Sequence, residues 1–373
     1  MHGAVMVGLP VLGAGTLWVI GGRIAAWIDF GVCLLTFLVA LSLLWASPEW
    51  APPPDLSIFV AILASGLATL RRWPHVRGIS SAGPARAGGL IVLAAILLAA
   101  IAPHPLLLWF ALVFGSAGAF FPNRVMTAGH DGLAGGALCL MLFGLVAMHV
   151  GTDGMAITCV LLGIAALVVL VPDLMVLLPL LVPELRALAD AAGQGGLGDS
   201  LLLAVGLGAA LACGGLVLMR PPRRLLAPLL QIGQAGLGVF AFGLGSPEGW
   251  FAGFMHLTLL AIARVAEQTA HIGRVERVAA LAGLGGLPPF GVWPALMLVL
   301  AATAHRSPWL VPPVGLAIGL MAWATLTRLP RPGHARAMIP TLSWVPLGIG
   351  LVLGWAMPAP LAAWLQALVV LPQ

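Results

Sequence analysis

Apolar residues dominate almost the whole chain, in runs of about eighteen or more broken by short clusters of Pro, Gly and Arg. Runs of that length without charge are long enough to cross a bilayer as helices. Turn signals between them predict spans at 3–21, 27–46, 56–70, 88–102, 105–121, 133–151, 154–172, 174–190, 199–219, 225–245, 249–271, 279–304, 309–327 and 340–357. A short amphipathic tail, 359–371, follows. The first run lacks a basic stretch ahead of it, and Arg23 rather than a small-residue cleavage site follows, so it reads as the first span and not as a signal peptide.

Charge placement orients this layout. With the N-terminus outside, the inner loops hold Arg23, then Arg71, Arg72, Arg77 and Arg86, then Arg124. Further inner loops hold Arg220, Arg223 and Arg224, then Arg274 and Arg277, then Arg328, Arg331 and Arg336, whereas the outer loops hold Arg306 alone. The positive-inside rule makes the inner side cytoplasmic, which for a bacterial protein means the inner membrane. Span 174–190 is short, interrupted by Pro179 and Pro183, and carries Glu184 and Arg186. Unless it crosses, every later arginine cluster falls outside, so about fourteen crossings are preferred. The expected fold class is therefore all-α integral membrane, one polytopic domain over 1–373, with N-terminal spans in 1–121, a core in 122–357 and the tail in 358–373.

Composition agrees: 61% of the 373 residues are hydrophobic and only 8% charged, with a mean hydropathy of +1.09. All 17 basic residues are arginine, and neither lysine nor tyrosine occurs. Lysine is the basic group whose pKa burial readily moves, whereas a guanidinium stays charged. Cys33, Cys139, Cys159 and Cys213 lie inside apolar runs with no Cys-x-x-Cys or Cys/His spacing, and read as packing residues. No metal site, redox cofactor, nucleotide motif or nucleic-acid surface is legible. The expected surroundings are the lipid bilayer and other membrane proteins.

One apolar run is unusual. Leu281 to Trp293 reads LAGLGGLPPFGVW, with adjacent prolines and several glycines at membrane depth. Unwound backbone is tolerated there only where protein or a water-filled cavity satisfies it. A Pro-broken helix is expected near 283–291, marked by Gly283, Pro288, Pro289 and Gly291.

That stretch resembles the S-L-A-G-x-P-P-F/L-x-G-F signature of the antiporter-like membrane subunits of respiratory complex I, Mrp-type antiporters and group 4 hydrogenases. HLTLLAIAR (His256 to Arg264) is similar to the family's H-x3-H-x3-K helix, with Leu260 at the second His and Arg264 at the Lys. LLQIGQAG (Leu229 to Gly236) is similar to Y-S-S-I-x-Q-x-G. AFGLGSP (Ala241 to Pro247) and MPAPLAAWLQ (Met357 to Gln366) look closest to the hydrogenase-4, or formate hydrogenlyase, branch. The N-terminal half matches more faintly. LLLWFALVFGSAGA (Leu106 to Ala119) puts Val113 where the family has a buried glutamate. GIAALVVLVPDLMVLLP (Gly163 to Pro179) follows Leu161, which stands where the family has a lysine.

The resemblance implies an antiporter-like bundle that works beside other integral membrane subunits and performs no redox chemistry alone. In the family, proton transfer is thought to use a glutamate–lysine pair and a line of lysines and histidines. Such groups must be able to change charge when buried. Here the relay positions Val113, Leu161 and Leu260 are apolar, and Arg264 cannot release a proton.

The ionisable residues left on that helix, His256, Arg264, Glu267 and His271, recur at three- and four-residue steps with Leu260 and form one stripe. One reading makes them, with Gln234, a residual proton path in which Arg264 pairs with Glu267. The other makes the pair a structural lock, with His256 bonded to backbone freed near Pro288 and Pro289. The favoured function is a structural subunit of a membrane-bound hydrogenase or complex I-like oxidoreductase. An active proton or cation translocator, or a membrane partner in inorganic-carbon or solute uptake, are the alternatives.

Overall fold

A computed structural model describes residues 2–46, 56–77, 83–101, 197–270, 274–329, 344–357 and 363. The described residues are almost wholly helical and contain no strand. They divide between two compact units, Met1–Leu185 and Arg186–Gln373. The spans expected between 105 and 190, with Val113 and Leu161, lie outside the described residues, as do His271 and nearly all of the tail.

The first unit contains α1 (His2–Val19), α2 (Gly22–Ala46), α3 (Leu56–Arg77) and α4 (Gly83–Ile101). α1 packs on α4 and α2 on α3. The helices begin within a few residues of the expected spans, with one instructive difference. Arg71, Arg72, Arg77 and Arg86, expected in a loop, lie within α3 and α4. Arg72 and Arg86 reach Asp29 of α2, and that internal ion pairing lets the helices run on past the end of the apolar pattern.

The second unit contains α5 (Leu197–Leu218), α6 (Arg223–Gly243), α7 (Pro247–Thr269), α8 (Arg274–Leu284), α9 (Val292–Arg306), a 3₁₀ turn (Pro308–Leu310), α10 (Val311–Arg328) and α11 (Trp344–Trp355). α5 and α6 approach closely at Gly206 and Gly236, where a Cβ on either would lie within 2.6 Å of the other helix's backbone. Small residues give this intimacy, which is how helices gain packing energy in lipid.

α7 is the central helix of this unit, and 17 of its 23 residues are buried. Its start is fixed locally. Gly245 turns the chain at φ +62°, Ser246 Oγ accepts from Gly249 N–H at 3.1 Å, and Pro247 opens the first turn. The rings of Phe242 and Trp250 meet edge to face across that turn, 5.4 Å apart.

Gly22–Leu43, Asp199–Leu218, Leu225–Gly243, Pro247–Thr269 and Pro308–Arg328 are each long and apolar enough to cross a membrane. The expected span 279–304 is two helices, α8 and α9, separated by residues 285–291.

Candidate functional site

The break between α8 and α9 is closed by its own hydrogen bonds. Gly286 N–H donates to Gly283 O at 3.1 Å and Leu287 N–H to Ala282 O at 2.9 Å. These two bonds, with Gly286 at φ +70°, form a Schellman motif that satisfies the last carbonyls of α8. The Pro288–Pro289 peptide is cis. Phe290 N–H then donates to Leu287 O at 3.2 Å, and Trp293 N–H to Phe290 O at 3.0 Å. Trp355 Nε1–H of α11 reaches the Pro289 carbonyl at 2.6 Å. Pro288 and Pro289 are exposed, but prolines have no N–H to satisfy, so few backbone polar groups of the interruption are left unpaired.

α11 also provides a seat for the second half of the break. Gly291 lies against Gly350 and Gly354: a Cβ on Gly291 would overlap Gly350 O, and one on Gly354 would stand 2.7 Å from Gly291 O. This Gly-x-x-x-Gly notch was not singled out in the sequence. On the opposite side, a Cβ on Gly285 would overlap Thr325 Oγ1 of α10.

α6 and α7 bring polar groups to the same region. His256 and Gln234 are both fully buried. His256 Nε2 lies 2.8 Å from the Gln234 carbonyl oxygen, so Nε2–H donates and a neutral ring leaves Nδ1 as acceptor. The partner of His256 is therefore the backbone of α6 and not a group freed near Pro288 and Pro289, because the break satisfies itself. The Gln234 side chain faces the break, where a Cβ on Gly286 would stand 2.9 Å from its Nε2. Among the described residues, both atoms of the Gln234 amide, His256 Nδ1 and Thr258 Oγ1 are buried without a hydrogen-bond partner.

Along α7 the polar stripe is interrupted. Leu260 is fully buried midway between His256 and Arg264. Arg264 Nη1 donates to Glu267 Oε2 at 2.6 Å, one turn further on, with only 13% and 14% of the two side chains exposed. Gln231, one turn before Gln234, is buried as well. Gly283 lies in the last turns of α8, and Gly291 caps the start of α9.

Sequence reasoning missed one cluster altogether. In the first unit, Arg72 Nε donates to Asp29 Oδ1 at 2.6 Å, and Arg86 Nη1 lies 3.7 Å from Asp29 Oδ2. Asp29 sits in an otherwise apolar run, and the available signal was its being a lone carboxylate at membrane depth.

No known family model matches the chain. A 144-residue stretch is 30% identical to "Hydrogenase-4 component F homolog" of Methylacidiphilum infernorum, covering 32% of this chain and 30% of that protein. The fold is similar to a chain of the Mrp complex from Dietzia sp., at TM-score 0.69 and 18% identity over 98% of this chain and 51% of that one. It is similar to a chain of respiratory complex I from Thermus thermophilus, at TM-score 0.63 and 18% identity over 96% and 99% of the two chains. It is similar also to a chain of the membrane-bound sulfane sulfur reductase, an archaeal respiratory membrane complex, at TM-score 0.66 and 17% identity over 95% and 75%. The chain is a multi-pass membrane protein with an antiporter-like fold, and the resemblance read from its motifs holds, including the likeness to the hydrogenase-4 branch.

Proposed function

We propose that this chain is a structural antiporter-like subunit of a membrane-bound hydrogenase or complex I-like oxidoreductase, its proton relay lost. Its partners would be the neighbouring integral membrane subunits, and the whole chain would act as one polytopic domain with its N-terminus outside the bacterial inner membrane. Support comes from the company its relatives keep, since the similar structures belong to multi-subunit membrane complexes.

The observation that carries the loss of the relay is the α7 stripe. His256 and Arg264 are eight residues apart, about 12 Å along a helix, with buried Leu260 between them. Arg264 is held by Glu267 and cannot give up a proton. Val113 and Leu161 remove two further titratable positions from the sequence.

The test is proton uptake into vesicles containing the purified assembly, with His256→Ala and Glu267→Gln introduced in turn. Unchanged flux with the assembly intact supports the structural reading. A tenfold fall in either variant, with the assembly still intact, overturns it. The buried polar atoms of Gln234 and His256 favour a second reading, a hydrated translocation path around the break, and that fall would establish it.

A further inference from the structure

The first unit carries a buried charge cluster that the reading of the second unit does not use. Among its described residues Asp29 is the one carboxylate side chain, while Arg23, Arg71, Arg72 and Arg86 lie toward the same end. The Asp29–Arg72 contact joins the start of α2 to the end of α3, and Arg86 lies in the first turn of α4. Arg72 is well placed: Nε donates to Asp29, Nη1 donates to Ala68 O at 3.2 Å, and Nη2 lies over Gly89, where a Cβ would stand 2.8 Å away.

Arg86 is not so well placed. Its side chain is 6% exposed, its one ion pair is the 3.7 Å approach to Asp29 Oδ2, and its Nε–H has no hydrogen-bond partner. A guanidinium at the N-terminal end of a helix also meets the positive end of that helix's dipole. Among the described residues two guanidinium groups and a helix start thus share one carboxylate, and a buried cation short of partners calls for an anion.

We propose that Arg86, with Arg72 and Asp29 behind it, binds the phosphate of an acidic membrane phospholipid. A guanidinium fork matches a phosphate by paired N–H···O bonds, and basic pockets between membrane helices take such headgroups. The depth fits. Trp27 is 56% exposed and lies two residues from Asp29, about 3 Å along the axis. Trp18 at the end of α1 is 54% exposed, and Arg23 is exposed between these tryptophans. Tryptophans facing outward beside arginine mark the headgroup level of a bilayer, so the cluster lies where lipid phosphates are. The inference concerns the first unit and does not depend on whether the second unit conducts protons.

The test uses the full chain, purified in mild detergent and placed in phosphatidylcholine nanodiscs with or without phosphatidylglycerol. Native mass spectrometry should find phosphatidylglycerol retained on the wild type, and Arg86→Gln should lower retention about fivefold. Asp29→Asn removes the competing carboxylate and should raise retention by a similar factor, whereas a merely structural carboxylate would lower it. Should Arg86→Gln fail to fold, Arg86→Lys keeps the charge, loses the fork and should retain less lipid than the wild type. Inorganic phosphate alone distinguishes the sources. If it stabilises the wild type and displaces phosphatidylglycerol, the anion site stands and its lipid source is overturned. Equal retention of phosphatidylcholine and phosphatidylglycerol, or retention by Arg86→Lys and Arg86→Gln at the wild-type level, overturns the proposal.

Discussion

Trp355 and Pro289, 66 residues apart, are joined by an indole N–H donated to the prolyl carbonyl at 2.6 Å. The carbonyl belongs to the interruption between α8 and α9, and the indole to a helix whose glycines receive the same segment. α11 thus holds the break by a hydrogen bond and by backbone packing together. Trp355→Phe keeps an aromatic side chain, smaller than the indole, and deletes the donor at a position 58% exposed, where little packing is lost. It should lower stability by about 0.5–1.5 kcal/mol, read as a fall in Tm of the detergent-solubilised chain. An unchanged Tm would show that the carbonyl finds another donor.

Gly291→Ala drives a methyl group into Gly350 O, where backbone rather than a mobile side chain must give way. The expected cost is about 1–3 kcal/mol or more, with a marked loss of monodisperse protein on size-exclusion chromatography. Gly348→Ala, on the same α11 and with nothing within 4 Å of the new methyl, is the control. It should match or exceed the wild type, since alanine favours helix by about 0.5–1 kcal/mol over glycine.

Gly286→Ala combines three penalties: a backbone at φ +70°, a methyl that would overlap Leu296 Cδ1, and the same methyl 2.9 Å from Gln234 Nε2. The left-handed conformation alone costs about 1–2 kcal/mol for a residue with a Cβ. Pairing it with Gln234→Ala, which clears the crowding amide, should recover part of the loss. Additive losses in that double variant would mean the amide does not crowd the break.

Arg264 and Glu267 form a neutral pair one helical turn apart, mostly enclosed by the protein. Glu267→Gln leaves Arg264 short of its counter-charge and should cost more than a surface pair's 0–1 kcal/mol, on the order of 3 kcal/mol. Arg264→Gln combined with Glu267→Gln should be milder than Glu267→Gln alone. Thermal unfolding of the wild type, both single variants and the double variant measures the coupling. Independent losses at the two positions would remove the structural role assigned to the pair.

Much of the architecture was legible before any coordinates. Hydropathy located α1, α2, α5, α6, α7, α10 and α11 to within a few residues, because a bilayer constrains length and polarity one segment at a time. It was less accurate at the ends of α3 and α4, where Arg72 and Arg86 read as loop residues. Burial of an arginine depends on a partner, and that partner, Asp29, is 43 residues from Arg72. His256 was picked out as a buried polar residue from its place in an apolar run, but its partner could not be. The Gln234 carbonyl lies 22 residues away, on another helix.

The sequence by itself determined that the chain lives in a membrane, where its helices run, and that one of them is interrupted at Pro288 and Pro289. These follow from local properties: apolar length, the missing N–H of proline and the freedom of glycine at positive φ. The tertiary structure decided how the interruption is made tolerable. Gly291 fits between Gly350 and Gly354, Trp355 supplies a donor to Pro289, and Gln234 lies against Gly286 while its own carbonyl accepts a hydrogen bond from His256 Nε2–H. Each of these joins helices distant in the chain, and packing distance between helices is a property of the folded backbone that no periodicity along one segment contains.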